Sequence, residues 1–149
     1  MSEAHRVTRE AIVAEASSWL GTPYRHQASL KSVGCDCLGL IRGVWRALFG
    51  AEPEPLAPYT PDWAEAGGEE TLAMAARRHL EEIAVKSAAP GDILLFRWRR
   101  GLPAKHAGVL IEPGRFVHAH QGAAVSTAAY SRWWRERTAY AFRFPSVEE

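Results

Sequence analysis

The sequence predicts an α+β fold in which N-terminal helices pack on an antiparallel sheet. Apolar residues recur with the helical period through the first half of the chain and with period two through the second. The helical stretches come first and the strand-like stretches follow, which is the α+β order. At 149 residues the chain suits one domain with a real core, and residues 1–149 are read as that domain.

The first helix is expected over residues 8–20, capped by Thr8, with Ile12, Ala16, Trp19 and Leu20 on one face and Gly21 and Pro23 as the stop. An irregular segment follows, and a second helix is expected over residues 37–49. Asp36 is a favoured N-cap type, Gly50 a favoured C-terminal residue, and Leu38, Ile41, Val44, Trp45, Leu48 and Phe49 form its apolar face. Gly39 and Gly43, one turn apart, leave room for another element to approach closely. Pro53, Pro55, Pro58 and Pro61 then exclude helix and central strand, so this stretch is read as a stiff connection, suited to lying over a cleft. A third helix is expected over residues 69–84, with Leu72, Ala76, His79, Leu80 and Ile83 on one face.

Ala89-Pro90-Gly91-Asp92 is turn chemistry, and strands are expected over 93–98, 105–111, 116–120 and 138–144. A three-residue connection Glu112-Pro113-Gly114, with Gly114 left-handed, would pair Ile111 with Arg115. That register sets Gly108 opposite His118 and His106 opposite His120. His106 and His118 then lie on a diagonal of about 7–8 Å between α-carbons, within side-chain reach.

Close to half of the residues are apolar, and the formal net charge is +1, so the composition is globular and gives no reason to expect a nucleic-acid partner. Arg97, Arg99 and Arg100 around Trp98 read as a solvated loop. The N-terminus leads into an amphipathic segment without a long apolar run, so neither a signal peptide nor membrane insertion is expected and synthesis is placed in the cytoplasm. Cys35 and Cys37 are too close in sequence for a relaxed structural disulfide.

Cys37 falls in a first helical turn, where unpaired N–H groups and the helix dipole favour the thiolate. A cysteine nucleophile needs a base for its proton and a polar group to hold that base. His106 can be the base, with His118 or His120 behind it. His79 reads as a helix-face residue, and His5 and His26 as loop residues. The competing chemistry is zinc on Cys35, Cys37, His106 and His118, but Cys-x-Cys fits a structural zinc site poorly.

Four ordered motifs carry a resemblance: Gly21-Thr22-Pro23-Tyr24, Asp36-Cys37-Leu38-Gly39-Leu40, His106-Ala107-Gly108-Val109 and Phe116-Val117-His118-Ala119. Together with Pro90-Gly91-Asp92-Ile93-Leu94-Leu95-Phe96, they resemble the successive motifs of the NlpC-type cell-wall cysteine peptidases, compact papain-like enzymes. The stretch ending Pro61-Asp62-Trp63 is similar to the branch found with tail genes of bacteriophages and gene transfer agents. The resemblance implies Cys37 as nucleophile, His106 as general base and His118 as its orienting partner. It also implies Tyr24 lining the site near the sulfur and Asp36 in substrate amine recognition. Leu38 stands where the commonest family form has Ser, as in the phage-type branch, and Cys35 has no assigned role. The implied reaction is hydrolysis of the peptidoglycan stem peptide between D-γ-glutamate and diaminopimelate, without metal or organic cofactor. The implied partners are the stem peptide and phage-like tail or baseplate proteins, in a particle that breaches the cell wall. A non-catalytic tail-tip or plug protein and a cytoplasmic stem-peptide recycling peptidase are the alternatives.

Overall fold

A computed structural model describes residues 6–53 and 70–148. Its first helix, α1 (Arg9–Ser17), starts where predicted, because the Thr8 hydroxyl accepts the Ala11 N–H at 3.0 Å. The helix ends at Ser17 rather than at Leu20. Ile12, Ala16 and Trp19 are buried, but Leu20 is exposed in the turn that follows, which closes at Gly21 with a φ of +88°. The second helix, α2 (Cys37–Phe49), has the predicted bounds. One Asp36 oxygen accepts the Gly39 N–H at 2.8 Å, and Gly50 takes a φ of +98° that a Cβ would penalise.

The two helix glycines are where α2 is approached closely. A Cβ on Gly39 would strike the Ala28 carbonyl, and one on Gly43 would fall inside the Trp19 ring. Gly43→Ala is therefore expected to destabilise the protein by about 1–3 kcal/mol through overpacking. That outweighs the gain of up to about 1 kcal/mol in helix propensity. A lowered urea midpoint with unchanged slope is the readout.

Among the described residues, six strands form one antiparallel sheet: β4 (Glu81–Ile83), β5 (Ile93–Phe96), β6 (His106–Glu112), β7 (Arg115–His118), β8 (Ser126–Ala129) and β9 (Thr138–Arg143). Their spatial order is β4-β9-β5-β6-β7-β8. Both sheet faces are covered. Ile93, Leu95, Ala107, Val109, Val117 and Phe142 share a core with α1 and α2. Leu94, Phe96, Leu110, Phe116 and Ala141 pack on the other face with Tyr130 and Trp134. A strand covered on both sides reads as a continuous apolar run, which is why β5 is Ile-Leu-Leu-Phe. Two short strand pairs complete the described residues: β1 (Val7–Thr8) with β10 (Val147–Glu148), and β2 (Ser29–Leu30) with β3 (Gly34–Cys35).

Two further expectations need correction, and the strand expected over 93–98 stops at Phe96. The helix predicted over residues 69–84 is α3 (Thr71–His79) and no more. Leu80 is extended (φ −121°, ψ 161°), and β4 pairs with β9, setting Ile83 opposite Ala141. Edge pairing to β9 wins over the helical period, with Glu81 and Glu82 exposed as a charged strand edge. The β6–β7 turn also differs. Val109 pairs with Val117 and Leu110 with Phe116, as the predicted register requires, but Glu112 rather than Ile111 faces Arg115. A register shift between Leu110 and Glu112 absorbs one residue, so the turn is Pro113-Gly114 and Gly114 is not left-handed. The bulge preserves the face on which the histidines stand. The stretch containing Pro55, Pro58, Pro61, Asp62 and Trp63 lies outside the described residues.

The turn before β5 holds a buried ionic junction. Asp92, fully buried, accepts from Arg9 Nη1 at 3.2 Å and from Arg143 Nε and Nη2 at 3.1 Å each. It also takes the Ala89 N–H at 3.0 Å. One carboxylate thus ties the start of α1 to the lead-in of β5 and the end of β9.

Candidate active site

Asp36 sets the position of Cys37. Its Oδ1 caps α2 through Gly39, and its Oδ2 accepts the Gln27 N–H at 2.7 Å, with His26 Nδ1 3.9 Å away. The carboxylate is buried, and each oxygen already takes one backbone donor. Cys37, the first residue of α2, is half-buried. Its sulfur lies 3.9 Å from the Lys105 carbonyl oxygen and receives the Ala107 N–H, so it rests against β6 on both sides of His106. The Leu38 and Cys37 N–H groups also point at it.

The expected thiolate is not what this environment favours at rest. Burial first, and the Asp36 charge second, push the Cys37 thiol up to about 12 against the pull of those three N–H groups. The helix terminus favours the thiolate, but the capping carboxylate that the same helix requires opposes it.

His106 and His118 are both buried, and His106 Nε2 lies 2.8 Å from His118 Nδ1. They meet because His106 opens β6 and His118 closes β7, in the predicted register. Trp98 stacks on the His106 ring at 5.2 Å and 25°, and Trp134 stands edge-on to His118 at 5.4 Å. With Nε2 engaged, Nδ1 is the His106 nitrogen left for the thiol. His120 is exposed, its ring centroid 5.7 Å from that of His106 and 5.8 Å from that of His118. The geometry thus joins His118, rather than His120, to His106.

Burial holds both histidines neutral. His106 falls well below the usual imidazole value, through burial and then the neighbouring His118, His120 and Lys105. His118 falls to about 4, through burial and then His120. A histidine with a depressed folded pKa contributes stability that is full above about 6.5 and is lost as pH falls through the folded value. Unfolding free energy is therefore expected to fall by about 3 kcal/mol for His118 alone between pH 6.5 and 4. Urea titrations at several pH values read this slope, and His118→Gln should flatten it. An unchanged slope in that variant would contradict a buried neutral His118.

Tyr24 forms a parallel backbone bridge with Cys35, and its phenol is close enough to Cys37 and Asp36 to feel their charges. Burial, and then the charges of Cys37, Asp36 and Cys35, raise its phenol to about 12, so its hydroxyl keeps its proton and can donate. Cys35 lies fully buried in β3 and belongs to the core. The Cys₂His₂ zinc set is not brought together. Among the described residues, the three-residue group able to hold a metal is His106, His118 and His120, with ligand atoms within 4.8 Å of one another. Two of these are already bonded to each other.

The aromatic frame was not anticipated. Trp98 lies just past the end of β5, among arginines whose pattern suggests a solvated loop, and Trp134, on α4 (Arg132–Arg137), has no local signal of a role. The tandem Trp133-Trp134 is visible in the sequence, but nothing local says that it packs beneath two histidines.

Residues 21–143 match the sequence profile of the NlpC/P60 family. The chain is 28% identical over 137 residues to the gamma-DL-glutamyl hydrolase of Bacillus subtilis (strain 168), a match covering 91% of this chain. It spans only 29% of that relative's length. The crystal structure of the NlpC/p60 domain of the peptidoglycan hydrolase SagA superposes with a TM-score of 0.63 at 27% identity, covering 93% of this chain and all of that one. An NlpC/P60 family protein from Bacillus cereus ATCC 10987 superposes with a TM-score of 0.67 at 16% identity, over 93% of this chain and 41% of that one. The helices and antiparallel sheet described above are thus the papain-like arrangement of those structures.

Proposed function

The chain belongs to the NlpC/P60 family, and on that premise we propose that it is a cysteine peptidase cutting an amide bond of the peptidoglycan stem peptide. The observation that carries this reading is the Cys37 sulfur lying against the strand on both sides of His106, whose far nitrogen His118 holds at 2.8 Å. The Cys37 proton passes to His106 Nδ1 as sulfur attacks the carbonyl carbon. The tetrahedral intermediate collapses, the C–N bond breaks, and His106 returns that proton to the departing amine. Water then gives a proton to His106 and attacks the thioester, releasing the acid and restoring the thiol.

His118 is the positioning residue. Neutral above about pH 4, it can accept the His106 Nε2–H throughout, which keeps Nδ1 unprotonated and facing the thiol. Because the resting thiol and imidazole are both neutral, the proton must pass from Cys37 to His106 for the sulfur to attack. The oxyanion takes donors from the Cys37 backbone N–H and the Tyr24 hydroxyl, each commonly worth about 3–4 kcal/mol. Asp36, held by Gly39 and Gln27, is the carboxylate we assign to the substrate amine.

The finer reading takes residues 1–149 as one catalytic domain cutting between D-γ-glutamate and diaminopimelate. The name of the Bacillus subtilis relative supports a γ-glutamyl bond. We place the enzyme in the tail of a phage-like particle, on the phage-type similarity of the Pro61-Asp62-Trp63 stretch; its absence from purified particles would sink that placement. Purified muropeptides incubated with the reduced protein should yield new amines by mass spectrometry, and Cys37→Ala should yield none. Failure of the wild type from pH 5 to 9 would overturn the catalytic reading in favour of a binding domain.

A further inference from the structure

We propose that the basic recess beside His106 binds carboxylates on the departing half of the substrate, the half whose nitrogen takes the proton from His106. This rests on the peptidase reading and assigns a substrate-binding role to side chains outside the reacting set.

The recess has a volume of about 520 Å³ and is lined by Arg97, Trp98, Arg99, Arg100, Glu136 and Arg137. Its charge does not cancel. Glu136 pairs with Arg132 at 2.8 Å, and Arg97 is held by Glu70 at 3.1 Å. Arg137 stacks on Trp133 at 3.8 Å and donates to the Trp133 carbonyl. Arg99 and Arg100 are exposed, and among the described residues no carboxylate pairs with Arg99, Arg100 or Arg137. Three guanidinium groups thus line one recess in which, among the described residues, the one carboxylate, Glu136, is paired with Arg132 instead.

Trp98 connects this recess to the chemistry. Its ring is a wall of the recess and is also the ring stacked on His106. In acyl transfer to cysteine the sulfur retains the acyl half, while the imidazole must touch the departing nitrogen. The departing half therefore extends from the His106 side, where Trp98 and the arginines stand. Tyr24 and Asp36 cluster instead around the sulfur. One extended residue spans about 3.3–3.6 Å, so the recess, one ring beyond the imidazole, meets groups roughly one or two residues past the scissile nitrogen. Guanidinium forks bind carboxylates through paired charge-assisted hydrogen bonds, and an aromatic wall that excludes water on one side strengthens them. Free carboxylates at that distance are the matching chemistry.

The test compares wild type with the exposed-surface variant Arg99→Gln/Arg100→Gln on two stem peptides, one with free carboxylates on the departing half and one with those groups amidated. Wild type should prefer the free acid by roughly tenfold or more in kcat/KM, expressed mainly in KM. The double variant should lose that preference, its kcat/KM on the free acid falling to its own value on the amidated peptide. Equal cleavage of both peptides by wild type, or full preference retained in the double variant, overturns the assignment. The dipeptide diaminopimelyl-D-alanine, titrated into Cys37→Ala as free acid and as amide, separates this from failure of the peptidase reading. If wild type cuts neither peptide, arginine-dependent binding of the free acid alone still supports the recess. Equal binding of acid and amide, or inorganic phosphate binding as tightly as the dipeptide, overturns it.

Discussion

His106→Gln is expected to lower hydrolysis of a stem-peptide amide by about 10⁴-fold, close to the loss in Cys37→Ala, with the fold retained. Glutamine can still reach His118, but it offers no nitrogen able to take the thiol proton, and the resting thiol at about 12 cannot ionise unaided near neutrality. The Cys37→Ala/His106→Gln double variant should be no worse than either single one, because the two act as a unit. His118→Gln should cost less, roughly 10- to 100-fold, since Trp98, Phe96 and Trp134 continue to pack around the His106 ring. The measurement is kcat/KM on a defined tetrapeptide, with circular dichroism as the control for folding. Near-full activity in His106→Gln would remove His106 from the mechanism.

Asp92→Asn is expected to produce the largest loss of stability from a single surface-preserving change, about 3–5 kcal/mol. The carboxylate is fully buried and holds Arg9 and Arg143 at once, so the amide replaces ion-paired bonds to two largely buried guanidinium groups with weaker neutral ones. Asparagine keeps the shape, and the loss therefore reports charge and hydrogen bonding rather than a cavity. For a chain of this length the melting temperature should fall by roughly 10 °C. Denaturant unfolding of wild type and variant at pH 7 checks it, and a change below about 1 kcal/mol would contradict the junction's importance.

Much of this architecture was legible because it is written in local chemistry. Thr8 and Asp36 are short polar side chains placed before apolar helical patterns, and each caps the helix it was expected to cap. Gly39 and Gly43 were read as room for a neighbour, and Ala28 and Trp19 occupy that room. The position of Cys37 at a helix start follows from the same rules. So does the shared face of His106 and His118, since a two-residue period admits only two faces and the turn length selects between them. The bulge beside Ile111 shows how narrow that margin is, since the expected turn was wrong while the register survived.

Other features have no local signature. Residues 81–83 continue a helical pattern, and only the free edge of β9 makes them a strand. Asp92 looks like a turn residue until α1 and β9 each bring an arginine to it from opposite ends of the chain.

The stretch around Cys37 was the part of the site the sequence could place by itself, as a thiol at a capped helix start, because capping needs only neighbours within a few residues. Whether that thiol is charged was decided by the tertiary structure, because ionisation depends on what surrounds the sulfur from every direction. Burial and the capping Asp36 outweigh the helix terminus and keep the proton on Cys37. The same holds for Trp98: a loop-edge residue in one dimension, its ring stacks on the His106 imidazole only once the sheet and α4 are assembled.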